Sequence, residues 1–370
     1  MKRLVIKIGS STLTNPNGGI DRTLLDDIAR QVASVRQQGW QVILVSSGAI
    51  ACGLERLGMA ERPSDMPSLQ AAASVGQPAF SSAWSDAFAK QGIVTSLVLL
   101  TRRDTADRQA YLHARDTLSR LLELGVVPIV NENDTVSVEQ IRFGDNDTLS
   151  ALVACLVNAS LDVILSDIDG LYSANPSKDP TAHLVSHVER IDADIMGAAG
   201  DAGSKMGSGG MITKIKAARV LGAAGIPMVI CLGRRPDVIV DAAAGKDVGT
   251  LFSASQKGHE VTPRKLWIAL GDASRGTLVV DDGAMHALID RGGSLLSVGV
   301  TAVEGTFAEG DIVDVQNSSG YLFARGRIAF SRDEVELALG RTRDELSHNR
   351  LLSELAEKPL IHRDDLVIFE

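Results

Sequence analysis

VVPIVNENDTVSVEQIRFGDNDTLSALVACLVNASLDVILSDIDG, Val126 to Gly170, carries in one run the pattern that decides the fold. It starts on an apolar, β-branched segment, Val126 to Val130, and closes on another, Val163 to Leu165. Between them Leu149, Leu152, Val153 and Leu156 recur at helical spacing, which sets one apolar stripe of a helix against a sheet. Strand, helix, strand is the unit from which a mostly parallel sheet is assembled. The alternation continues outward on both sides. Leu4 to Ile8, Val42 to Val45, Val94 to Leu100 and Met228 to Cys231 read as further strands, and Leu25, Ile28, Val32 and Val35 as the inner face of a helix. Residues 1–256 therefore predict an α/β domain.

The pattern changes at SASQKGHEVTPRK, residues 253–265, which is polar, lacks apolar periodicity and contains Gly258 and Pro263. A linker is expected at 257–265. Beyond it, Thr277 to Val280, Ile312 to Val315 and Tyr321 to Ala324 are short strand-like runs separated by Gly and Asp turns, with one helix-like stretch at 283–291. This predicts a small, mainly β domain over 266–352, followed by an extension at 353–370.

Composition narrows the function classes. With 370 residues, 45% of them hydrophobic, the chain can bury a large core, and 4% aromatics suit helices packed closely on a parallel sheet. A net charge of −9 argues against broad attraction to nucleic acid. Cys52, Cys155 and Cys231 have neither paired nor metal-ligand spacing, which fits a reducing compartment. The apolar run after Lys2 and Arg3 is broken at Lys7, unlike a signal peptide, and no apolar stretch reaches the length of a membrane span. A cytoplasmic protein is expected.

Five segments carry chemistry-bearing residues. In KIGSS, Lys7 to Ser11, a strand delivers a lysine into a loop whose Gly9 lets backbone N–H groups approach an anion. In VSSGAI, Val45 to Ile50, Ser47 and Gly48 follow a strand and open a helix, a position equally suited to a plain N-cap. NENDTVS, Asn131 to Ser137, and GDNDT, Gly144 to Thr148, hold more Asn, Asp and Glu than one turn and one helix cap require. SDIDG, Ser166 to Gly170, follows a strand and reads either as a turn or as an acid placed for a ribose or a metal-bound water. GSKMGSGGMITKIKAA, Gly203 to Ala218, leads from glycines into a helix with Lys214 and Lys216 near its start, where the helix dipole disfavours cations unless a polyanion binds. Walker, protein-kinase and dinucleotide-fold signatures are absent from the sequence.

In order, these segments resemble the amino acid kinase family, and NENDTV, GDNDTLSAL and SGGMITK resemble its glutamate-phosphorylating branch. Gly276 to Val315 is similar to a PUA domain. The resemblance implies a three-layer αβα sandwich with a mostly parallel central sheet, followed by a small mainly-β PUA domain. It implies transfer of a phosphoryl group from ATP, with Mg²⁺, to the side-chain carboxylate of L-glutamate, giving glutamyl 5-phosphate as the first step of proline biosynthesis. Lys7, Lys214 and Asp147 would be catalytic. ATP would meet Lys7, Gly9, Ser166, Asp167 and the run Ser208, Gly209, Gly210, Met211, Ile212, Thr213 and Lys214. Glutamate would meet Ser47, Gly48, Asp134, Asp145 and Asn146. No residue is assigned as a metal ligand, and Lys205 has no assigned role. Proline as a feedback inhibitor and a homo-oligomeric state also follow from the resemblance. Another acid, aspartate or N-acetylglutamate, is the alternative substrate. RNA binding through the PUA domain is the alternative of a different class, disfavoured because residues 272–350 carry 13 acidic and 8 basic side chains.

Overall fold

A computed structural model describes residues 1–15, 19–101, 108–136, 146–201, 210–254, 265, 268–269, 274–349 and 352–369. The chain divides into two units, Met1–His259 and Glu260–Glu370.

In the first unit the chain order is β1 (Lys2–Ile8), α1 (Ser10–Leu13), α2 (Arg22–Gln37), β2 (Trp40–Ser46), α3 (Ala49–Leu57), α4 (Met66–Ala89), β3 (Thr95–Leu100), α5 (Arg108–Glu123), β4 (Val127–Glu132), α6 (Asn146–Leu156), β5 (Leu161–Ser166), β6 (Leu171–Tyr172), β7 (Leu184–Val185), β8 (His187–Val188), α7 (Ala193–Asp201), α8 (Met211–Ala223), β9 (Met228–Leu232), α9 (Val238–Ala243) and β10 (Gly249–Phe252). Eight strands form one sheet in the order β3-β4-β2-β1-β5-β9-β10-β8. Every neighbouring pair is parallel except β9–β10. The chain leaves β1 towards β2 on one side and comes back to β5 on the other. Strand order thus reverses at β1, where the crevice beyond the strands' carboxyl ends is the place for a ligand.

Strand alternation assigns the two faces. Leu4, Ile6, Ile8, Val163 and Leu165 point to one side, where Phe80, Trp84 and Phe88 of α4 join α2 and α9 in a continuous core. Val5, Lys7, Asp162 and Ile164 point to the other, under α6 and α8. The stripe in α6 predicts a helix with one apolar face, yet all eleven of its residues are buried. The sheet takes one side and α8 another, and Ser150, Ala151 and Ala154 are small enough to allow it. Close approach also explains the α3–α4 pair: a Cβ on Gly53 would run into the Ala72 carbonyl, and one on Gly76 into that of Ala49. Nothing in the strand–helix alternation marks α4, whose apolar positions are too continuous to form a stripe and which holds Pro78.

The second unit contains β11 (Gly276–Val280), α10 (Asp282–Arg291), β12 (Val300–Gly305), β13 (Ile312–Asn317), β14 (Leu322–Arg327), α11 (Arg332–Ala338), α12 (Arg343–His348), α13 (Ser353–Glu357) and β15 (Leu366–Ile368). Its sheet runs β12-β11-β13-β14-β15 around a core that includes Leu278, Val313, Val315 and Phe323. The stretch 353–370, set apart in the sequence as an extension, supplies α13 and β15. Leu355, Leu360, Ile361 and Leu366 enter the core, and β15 pairs antiparallel with β14.

Candidate active site

Three elements bring three charged side chains to one point. β1 turns Lys7 onto the face covered by α6, the first turn of α6 holds Asp147, and the fourth residue of α8 is Lys214. Lys7 Nζ lies 2.6 Å from Asp147 Oδ1, and Lys214 Nζ lies 3.2 Å from Oδ2. The side chains are 7%, 1% and 7% exposed in the order Lys7, Asp147, Lys214, so these charges interact far more strongly than in water. Thr213 Oγ1 sits 2.8 Å from Asp147 Oδ2 and 2.7 Å from the Gly210 carbonyl. Burial alone would raise the Asp147 carboxyl, but Lys7, Lys214 and the hydrogen bonds from Lys7 and Thr213 hold it well below the usual carboxylate range. Two ammonium groups on one carboxylate leave one net positive charge.

A second chain of contacts runs along the same edge of the sheet. Asn146 Nδ2 donates to Ser47 Oγ at 2.6 Å and approaches Asn131 Oδ1 at 3.4 Å, while Asn131 Nδ2 donates to Gln77 Oε1 at 3.2 Å. Ser47 N–H donates to the Ile8 carbonyl, tying the ends of β1 and β2 together. Gly48 begins α3 at φ 129°, a conformation that an L side chain rarely adopts, and Phe80 stands 3.4 Å from where its Cβ would be. Trp84 Nε1 donates to Ser46 Oγ beneath this loop. Asp134, half-buried in the turn after β4, is pushed up to about 6 by burial, against the lowering influence of Arg62.

The remaining expected residues fall at other ends of the same layers. Gly9 follows β1 and begins the short α1, and Lys7 Nζ is 3.5 Å from where a Gly9 Cβ would be. Ser166 ends β5, its hydroxyl donating to Asp167 Oδ1 at 3.1 Å, and Asp167 is exposed. Gly210 is the extended N-cap of α8, with no described atom within 4 Å of where its Cβ would be; Met211, Ile212 and Thr213 form the first turn. Lys216 is exposed, away from Asp147. Asp145, Lys205, Ser208 and Gly209 lie outside the described residues. Sequence reasoning missed the contact of Thr213 with Asp147 and the part played by Asn131 and Gln77. Asn131 carried a signal as a polar residue ending a buried strand; Gln77, in an Ala- and Ser-rich helix, carried none.

Comparison with known proteins agrees with this architecture. Residues 2–231 match the model of the amino acid kinase family, and residues 276–349 match the PUA domain. A glutamate 5-kinase of Bordetella parapertussis is 48% identical over 366 residues, spanning 99% of this chain and 96% of that protein. One of Syntrophotalea carbinolica is 44% identical over 368 residues, spanning 100% and 97%. Among solved structures, a carbamate kinase from Giardia lamblia bound to AMP-PNP superposes with a TM-score of 0.51 at 19% identity, covering 69% of this chain and 99% of that one. That likeness is one of fold.

Proposed function

The chain belongs to the amino acid kinase family, among its glutamate 5-kinases, and on that premise we propose that it moves the γ-phosphoryl group of ATP onto the side-chain carboxylate of L-glutamate. The products are glutamyl 5-phosphate and ADP, and the step opens proline biosynthesis. The observation that carries the reading is the buried Lys7–Asp147–Lys214 cluster at the strand-order reversal. A glutamate carboxylate oxygen attacks the γ-phosphorus as the bridging oxygen leaves with ADP. Phosphoryl transfer asks mainly for positioning and charge neutralisation, which two ammonium groups fixed by one carboxylate provide. The nucleophile is already ionised at neutral pH, so no strong general base is needed.

Substrate and nucleotide take different parts of the crevice. Ser47, Gly48, Asp134, Asp145 and Asn146 receive glutamate, with Asp134 opposite its α-ammonium. Gly9, Ser166, Asp167 and Ser208 to Lys214 receive ATP. The donor set fits a magnesium ion carried by the nucleotide's phosphates, because both Asp147 oxygens already face ammonium groups while Asp167 remains exposed. When bound, that ion neutralises phosphate charge.

Proline acts in this reading as an inhibitor at the glutamate pocket, and the working form is a cytoplasmic homo-oligomer. Among the described residues no helix is long and apolar enough to cross a membrane. RNA binding by the second unit is disfavoured because its basic cluster is engaged: Arg325 with Asp314 at 2.7 Å, Arg332 with Glu336, and Arg327 with the Gly310 carbonyl. ADP release with hydroxylamine trapping of the acyl phosphate, run on glutamate, aspartate and N-acetylglutamate with and without proline, tests the substrate. Preference for another acid overturns it, as does an unimpaired Lys214→Ala enzyme.

A further inference from the structure

Asp162 is a fully buried carboxyl that the proposed chemistry leaves without a task. It stands on β5 opposite Val5, and Lys7 stands opposite Ile164, so Asp162 and Lys7 lie on the same face of the sheet, one pleat step apart on neighbouring strands. α6 covers both. Ser150, one turn after Asp147 on that helix, donates its hydroxyl to Asp162 Oδ1 at 2.8 Å. Asp162 Oδ2 is buried with no side-chain partner among the described residues. An ionised carboxylate left in that state carries a heavy desolvation cost, whereas the neutral acid does not.

α6 presents Asp147 and Cys155 to Asp162, and β1 presents Lys7. β5 adds none besides Asp162, and β9 places Met228 beside it. Lys214, from α8, lies beyond Asp147 on Oδ2. Burial raises the Asp162 carboxyl first and Asp147 raises it further, while Ser150, Lys7 and the Val163 backbone N–H oppose, with the balance at about 7.

We propose that Asp162 is a positioning residue for phosphoryl transfer, holding as the neutral acid the first turn of α6, and with it Asp147, through Ser150. The inference rests on the kinase reading above. Its physical content is a charge count. With Asp162 neutral, Lys7, Lys214 and Asp147 present one net positive charge to the incoming phosphates. Ionised Asp162 cancels that charge, so turnover falls as pH rises through its titration. Bound ATP, itself anionic, favours the neutral acid further.

The test is the pH dependence of kcat for wild type, Asp162→Asn and Ser150→Ala, together with the infrared carbonyl band of a protonated carboxyl. Wild type should show a descending limb centred at or somewhat above about pH 7, and the limb should be absent in Asp162→Asn. Ser150→Ala removes the bond that favours ionisation, so its limb should move to higher pH, with turnover lowered by up to roughly a hundredfold through misplacement of Asp147. If Asp162→Asn folds poorly, the Ser150→Ala shift alone decides. The wild-type minus Asp162→Asn difference spectrum below neutrality should show the protonated-carboxyl band, whatever the substrate, because Asp134 contributes equally to both. Coincident wild-type and Asp162→Asn profiles overturn the inference, as does an infrared difference spectrum without the band. Loss of glutamate-dependent turnover in wild type would instead overturn the kinase reading and leave the infrared result to stand on its own.

Discussion

Replacing Asp147 by Asn keeps the shape of the side chain and removes the one charge that two buried ammonium groups share. At an effective dielectric constant near 20, contacts of 2.6 Å and 3.2 Å are worth about 6 and about 5 kcal/mol before desolvation is counted. The net cost of breaking such a buried arrangement from one side is smaller, about 3–5 kcal/mol, because the lysines are left without compensation. That is a large part of the 5–15 kcal/mol that typically separates a folded domain from its unfolded state. Turnover should fall by roughly a hundred- to a thousandfold, the scale of losing one preorganised electrostatic group. Urea unfolding followed by circular dichroism, with ADP release measured on the same preparations, reads both effects. The pH dependence adds a check on sign. Asp147 titrates below the ordinary carboxylate range when folded, so its stabilisation is complete above about pH 4 and disappears as pH falls further. The stability gap between wild type and Asp147→Asn should therefore narrow in acid. A variant within twofold of wild-type turnover, or a gap that widens as pH falls, would refute the reasoning.

Asp134 is held up to about 6 by burial, so its capacity to pair with an ammonium group grows as pH rises through that value. KM for glutamate should fall across that window in wild type and stay flat in Asp134→Asn. Gly53→Val forces a side chain into the Ala72 carbonyl and should destabilise the α3–α4 pair by about 1–3 kcal/mol, seen as an earlier thermal transition of the first unit. Arg325→Ala leaves Asp314 unpaired at a site where both side chains are mostly buried. It should lower the stability of the second unit by about 1–3 kcal/mol, and a gel shift with structured RNA should show no binding before or after the change.

The strands were legible because β-branched runs announce themselves. Leu4 to Ile8 lies inside β1, and Met228 to Cys231 lies inside β9. Short strands such as β7 and β8, two residues each, are too brief to form a pattern. α6 was found from its leucines, but its burial on every side was not, because Ser150 and Asp147 sit at polar positions that packing by α8 closes over. The convergence of Lys7, Asp147 and Lys214 was visible through likeness to a family and not through spacing, since three separate elements supply it. Asp162 was unreadable in the sequence: a polar residue near the start of a strand looks like a solvated end until its neighbours on both sides are known.

The position of Lys7 also bears on how the chain reaches its fold. β1 precedes every other strand of its sheet in the chain but lies in the middle of it, held between β2 and the much later β5. The carboxylate that compensates Lys7 comes with α6, also late. Collapse of β1, α2 and β2 packs the opposite face of the sheet, that of Leu4, Ile6 and Ile8, and leaves Lys7 in water until α6 arrives with Asp147 to cover it. Such long-range closure is slow. The charged face of the sheet is thus closed by the helix that brings the compensating carboxylate, so Lys7 is desolvated only together with Asp147.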